Sequence, residues 1–100
     1  MAPINATEFR SRLNNGGQIN LLDVREEIEF ATYNIGGKNM PLSKLPDSIA
    51  QLGYNKSDEI IVICKIGLRS ETARQLLAKN GYTNARNLSG GLIALQKLDQ

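Results

Sequence analysis

The run Ile60-Ile61-Val62-Ile63-Cys64 narrows most sharply what this chain can become. Its apolar residues do not alternate with polar ones, so a strand built from them must be covered on both faces. That is the condition of a strand inside a parallel sheet with helices on either side. At 100 residues and 41% apolar, the chain fits one compact domain. It is long enough to bury somewhat under ~70% of the surface its unfolded form exposes.

The flanking segments agree with that reading. Asn5-Ala6-Thr7-Glu8 has the form of a capping box, with Ile4 and Phe9 placed as a hydrophobic staple. Phe9 and Leu13 share a helical face that Asn14-Asn15-Gly16-Gly17 terminates. Ile19 to Val24 reads as a strand. Residues 26–32 read as a short helix whose inward face the pattern leaves open. Asn34 to Lys38 reads as a loop, and Asn39 to Leu42 as a very short strand ended by proline. Ser43 is placed to cap a helical stretch carrying Leu45, Ile49 and Leu52 and ending at Gly53. Ser70 to Asn80 has helical spacing, with Gly81 as its C′ glycine. Ala85 to Leu88 is a last strand, and Gly90-Gly91 precedes a helix carrying Leu92, Leu95 and Leu98. Strands alternating with helices predict an α/β fold around a mostly parallel sheet.

Several functions are excluded by what the chain lacks. It has no histidine and a single cysteine. Ser–His–Asp and Cys–His catalysis, the common zinc sites and an intramolecular disulfide are therefore all absent, and no metal site is predicted. The net charge is only +2 and the basic residues form no dense run, which argues against a nucleic-acid partner. No apolar stretch approaches the ~20 residues of a membrane span. The first residues lack the basic and apolar regions of a signal peptide. With a free thiol, this places the chain in a reducing compartment, the cytoplasm.

Chemistry must then come from Cys64, carboxylates, Lys, Arg or backbone groups. The segment Cys64-Lys65-Ile66-Gly67-Leu68-Arg69-Ser70 joins the end of the buried strand to the start of a helix. Ligands of open α/β sheets bind beyond the carboxyl ends of the strands. Loop N–H groups and a helix N-terminus at that place form an anion cradle, with Gly67 supplying backbone freedom. The same cradle lowers the pKa of a thiol. Taking a thiol from ~8.5 to ~6.5 needs about 2.7 kcal/mol of preference for the thiolate. A helix terminus supplies about 0.3–1 kcal/mol, up to ~2 in a partly buried site. Direct N–H donors, with Arg69 and Lys65 close by, must supply the rest. Cys64 is accordingly assigned as a nucleophile and Arg69 as an anion binder with a planar charged fork. A cysteine ending an apolar strand is otherwise a small core residue, and the glycine, arginine and helix start are what set this one apart.

This loop resembles the C-x-x-G-x-R-S signature of the rhodanese family, the thiosulfate or persulfide sulfurtransferases. The resemblance extends along nearly the whole chain. Leu21-Leu22-Asp23-Val24-Arg25-Glu26 is similar to the family's early strand and D-V-R motif, and Glu29-Phe30 to its E-[FY] pair. Asn34 to Leu42 resembles the H-I-x-G-A-x-N-I-P-L segment, and Gly81 to Gly91 the G-[FY]-x-x-V-x-x-L-x-G-G stretch. Asn34 replaces the family histidine in a segment one residue shorter, and Leu95 stands where a tryptophan is usual.

The resemblance implies that residues 1–100 form a single rhodanese-like domain, a five-stranded parallel sheet with helices on both faces. It implies a double displacement through a Cys64 persulfide, without a cofactor. The donor is a small anionic sulfur compound and the acceptor cyanide or a thiol. A relay module exchanging persulfide with protein partners, or a non-catalytic domain of the same fold, are the alternatives. The amides of Lys65, Ile66, Gly67, Leu68 and Arg69 would hold the persulfide. Related phosphatases have five residues between Cys and Arg, whereas Cys64 and Arg69 are separated by four. Asp23 and Arg25 end the early strand and belong by resemblance to the site's surroundings, Arg25 as a substrate contact. An ion pair that fixes a loop is the other reading of both. Lys65 either steers anions or is a solvated lysine. Ser70 is placed as a helix cap.

Overall fold

The computed structural model describes all residues, 1–100. In chain order the elements are α1 (Ala6–Asn14), β1 (Leu21–Asp23), α2 (Glu27–Thr32), β2 (Lys38–Asn39), two 3-10 turns (Leu45–Asp47 and Ile49–Leu52), β3 (Ile60–Ile63), α3 (Leu68–Lys79), β4 (Ala85–Asn87) and α4 (Gly91–Leu98). The four strands lie in the order β2-β1-β3-β4 and every pairing is parallel. Leu22 is set beside both Val62 and Lys38, and Val62 beside Asn87.

The apolar run behaves as its composition requires. Side chains of successive strand residues point to opposite faces. Ile60, Val62 and Cys64 join one core with Leu22, Val24, Leu45, Ala73 and Leu77, beneath α3 and the 3-10 turns. Ile61 and Ile63 join the other with Ile4, Phe9, Leu88, Leu92 and Leu95, beneath α1 and α4. All four residues of β3 are fully buried. The sheet is thus a wall between two cores, with the carboxyl ends of β1 and β3 at one rim.

Three expectations are corrected. The sheet has four strands rather than five. Where a fifth would lie, Ile4 alone forms a parallel bridge to Leu88, bonding Asn87 and Ser89. Pro3 has no N–H to extend the pairing, and Asn5 turns away to cap α1 by accepting from the Glu8 amide at 2.7 Å. The stretch from Ser43 to Gly53 is two 3-10 turns rather than a helix. Pro46 removes a donor from it, and Ser48 leaves the helical region between the turns. Third, α3 begins at Leu68, with Gly67 in the left-handed region as its N-cap, so Ser70 lies within the helix.

The face of α2 also resolves. This helix has no buried residue. Six residues are too few to present a full apolar stripe, and polar contacts at the sheet rim hold it instead.

Candidate active site

Cys64 directly follows β3, and its carbonyl accepts from the Leu92 amide at 3.0 Å, while that of Lys65 accepts from Ile93 at 3.0 Å. The first turn of α4 therefore binds the loop's carbonyls. This close approach requires glycine at position 91. A Cβ there would lie 2.5 Å from the Lys65 oxygen and 2.6 Å from the Cys64 oxygen, and its φ is +63°.

Main-chain donors converge on the sulfur. Cys64 Sγ accepts from the Gly67 amide at 3.1 Å and the Ser70 amide at 3.3 Å. Ser70 Oγ stands 3.2 Å from Sγ. Gly67 reaches this arrangement at φ +98°, a region in which a side chain would be strained. Burial pushes the thiol up. Opposing it are the Ser70 hydroxyl and the amides of Ser70, Gly67 and Ile66, and the balance lies below the ordinary thiol value. The amides of Lys65, Leu68 and Arg69 donate to no protein acceptor. Cys64 itself is only 1% exposed, so the sulfur lies under the loop rather than on the surface.

Ser70 is fully buried, and its hydroxyl is held by a second residue. Ser70 Oγ donates to Asn87 Oδ1 at 2.5 Å, and Asn87 Nδ2 donates to the Gly67 carbonyl at 3.1 Å. Asn87, the last residue of β4, thus ties the loop's glycine to the hydroxyl beside the sulfur.

The two arginines are paired. Arg25 and Asp23 are both buried. Arg25 Nε donates to the Asp23 oxygens at 3.0 and 3.1 Å and Nη2 to Oδ2 at 2.8 Å. Arg25 also donates to the Tyr33 carbonyl at 2.8 Å and the Glu29 carbonyl at 3.4 Å. It thereby fastens α2 and the residue after it to the end of β1. Arg69 forks onto Glu29, at 2.6 Å to Oε1 and 3.0 Å to Oε2. That bond, against a smaller opposing effect of burial, holds the Glu29 carboxyl down to about 2. An open cleft of about 380 Å³ runs between α2 and α4, walled by Arg25, Ile28, Glu29, Tyr33, Lys65 and Leu92 among others.

The sequence profile of the rhodanese-like domain matches residues 5–98. The chain belongs to the rhodanese-like domain family. It is 34% identical over 80 residues to the thiosulfate sulfurtransferase PspE of Escherichia coli, covering 77% of this chain and 76% of PspE. It is 33% identical over 95 residues to the probable adenylyltransferase/sulfurtransferase MoeZ of Mycobacterium tuberculosis. That match takes in 94% of this chain but spans only 24% of the length of MoeZ. Among solved structures, the human single-domain sulfurtransferase TSTD1 superposes with a TM-score of 0.84 at 30% identity, covering 95% of each chain.

Within this rhodanese-like domain, the residues singled out from the sequence gather at one rim. Cys64, Ile66, Gly67, Leu68, Arg69 and Ser70 form the loop and its helix start, Lys65 lines the cleft, and Asp23 with Arg25 braces α2. Three residues escape sequence reasoning. Glu29 is visible there only as half of a family motif. Asn87 carries no signal, since an asparagine ending a strand reads as turn chemistry. Gly91 reads as a turn residue, and only its contact with the Cys64 carbonyl shows the close approach. At the departures from the family pattern, Asn34 accepts from the Gly36 amide at 2.9 Å and donates to the Phe30 carbonyl at 2.9 Å, fixing the loop after α2. Leu95 is buried in the α1–α4 core.

Proposed function

We propose that this domain is a sulfurtransferase that carries sulfane sulfur on Cys64. The Cys64 thiolate attacks the outer sulfur of thiosulfate or of a persulfide. The donor's S–S bond breaks, and its electron pair leaves on sulfite or on a thiolate. The outer sulfur, now a persulfide anion on Cys64, is attacked by cyanide or a thiolate. The Cys64 sulfur departs with the bonding pair, and the starting thiolate returns. Electrons balance within each displacement, so no cofactor enters.

One observation carries this reading. The Gly67 and Ser70 amides converge on Sγ beside the Ser70 hydroxyl, and further loop amides stand without protein acceptors. Gly67, Ser70 and Ile66 stabilise the attacking thiolate; Lys65, Leu68 and Arg69 supply amides to the outer sulfur. Arg25, committed to Asp23, acts as a positioning residue for α2 rather than as a free anion contact. Transfer through a thiolate suits a reducing compartment such as the cytoplasm. The likeness to PspE and TSTD1 supports the same chemistry.

A second reading, relay to a protein thiol, is favoured by the side chains around the loop. Ile28 is 75% exposed, Leu68 70% and Ile66 53%. Solvated apolar side chains beside a reactive centre suit a protein surface better than a small anion. The test of both is mass spectrometry of the intact chain after exposure to thiosulfate or a low-molecular persulfide. One added sulfur atom is expected, absent in Cys64→Ser. No adduct from any such donor would defeat both readings. Turnover with cyanide against transfer to thiol proteins then separates them.

A further inference from the structure

The rim of the cradle carries less positive charge than its two arginines suggest. Arg25 is cancelled by Asp23 at 2.8 Å. Arg69, the permanent cation of the loop, spends both ends of its fork on Glu29. Glu29 cannot swing away freely, because its Oε1 also accepts from the Glu26 amide at 3.0 Å. The carboxylate is thus anchored from its own helix and presented to Arg69. Glu29 also shares a cleft wall with Lys65. The pair is half-open to solvent, at 38% and 31% exposure, so the fork contributes little to stability, and α2 has no core to defend. Its consequence is electrostatic: the carboxylate neutralises Arg69 beside the anion-binding loop and leaves Lys65 as the unpaired cation of the cleft.

We infer that Glu29 is a specificity-determining residue that cancels Arg69 at the rim and tunes the cradle for singly charged sulfur donors over dianions. An alkyl persulfide or a thiosulfonate anion brings one negative charge past this carboxylate; thiosulfate brings two. The interaction with a fixed charge scales with the charge of the visitor. The main-chain amides, which carry no net charge, still hold the transferred sulfur of either donor. This inference rests on the sulfurtransferase reading and names the donor class for the same site.

The test uses the intact chain, whose single cysteine makes modification unambiguous. Cys64 is alkylated with iodoacetate, an anion, and with iodoacetamide, its neutral analogue, in wild type, Glu29→Gln and Glu29→Asp. Glu29→Gln should raise the iodoacetate-to-iodoacetamide rate ratio by about threefold to tenfold, the reach of a unit charge across several ångströms in a partly aqueous medium. Glu29→Asp keeps the charge and should keep the wild-type ratio. In turnover, Glu29→Gln should raise kcat/KM for thiosulfate by about the square of the factor for the singly charged methanethiosulfonate anion, since one donor carries twice the charge of the other. An unchanged alkylation ratio in Glu29→Gln overturns the inference. So does an equal change in Glu29→Asp, which marks a purely structural role, or a Cys64 that iodoacetamide cannot reach in wild type. If the ratio shifts as stated but no donor loads sulfur, the rim charge stands and the transfer reading is what fails.

Discussion

Replacing Ser70 with alanine isolates the hydroxyl beside the sulfur. Ser70 Oγ is 3.2 Å from Cys64 Sγ and 2.5 Å from Asn87 Oδ1, so its one proton must leave Asn87 to bond a thiolate. Alanine leaves the Ser70 amide in place and removes only Oγ. A hydrogen bond to a charged group contributes about 1.5–3 kcal/mol and the neutral bond to Asn87 that it replaces about 0.5–1.5 kcal/mol, so the hydroxyl's net gain at the buried thiolate is about 1–1.5 kcal/mol. Since about 1.36 kcal/mol corresponds to one pKa unit, proton affinity at Cys64 should rise by up to about tenfold. The direction follows from the balance at the sulfur. Burial pushes the thiol up, the hydroxyl is the leading influence against it, and without the hydroxyl burial gains ground.

The assay is iodoacetamide alkylation rate against pH, with thiolate absorbance as a second probe. The acid limb of the Ser70→Ala profile should move to higher pH by that factor. The rate should be lost near neutrality and recovered in base, at a plateau no lower than wild type, because a more basic thiolate is intrinsically more nucleophilic. A fall in rate with an unmoved profile would refute the reasoning. It would mean that the amides alone hold the thiolate and that Oγ merely fills space.

The two arginines should behave oppositely. Arg25→Ala strands the buried Asp23 carboxylate and should cost about 3–5 kcal/mol, read as a lower melting temperature. Arg69→Ala breaks a half-open pair worth about 0–1 kcal/mol, so turnover of thiosulfate should fall much further than melting temperature; equal losses would mark Arg69 as structural. Gly91→Ala forces a side chain onto the Cys64 and Lys65 carbonyls at positive φ. Backbone strain of this kind costs about 1–3 kcal/mol before any clash. Cys64 alkylation should slow as the loop lifts off α4, and a variant with wild-type stability and reactivity would show that the contact is dispensable.

Sequence and tertiary structure divide the determination along physical lines. Features that depend on neighbours along the chain are legible from residue order: the doubly covered strand at Ile60–Ile63, the cap at Asn5, and a strand-loop-helix placing Cys64, Gly67 and Arg69 together. Strand periodicity, capping and turn chemistry act over a few residues, so a short window contains their causes. The length of marginal elements is not legible. One bond more or less decides that Ile4 is a bridge and not a strand, and a single proline shifts the segment from Ser43 to 3-10 turns. Nor are the partners of the site's side chains. Glu29 on Arg69 spans 40 positions and Asn87 on Ser70 spans 17. Both pairs meet because a parallel sheet delivers every strand's carboxyl end, and the loop beyond it, to the same rim. Which donor then satisfies which acceptor is settled by distance in space, a quantity that residue order alone does not contain.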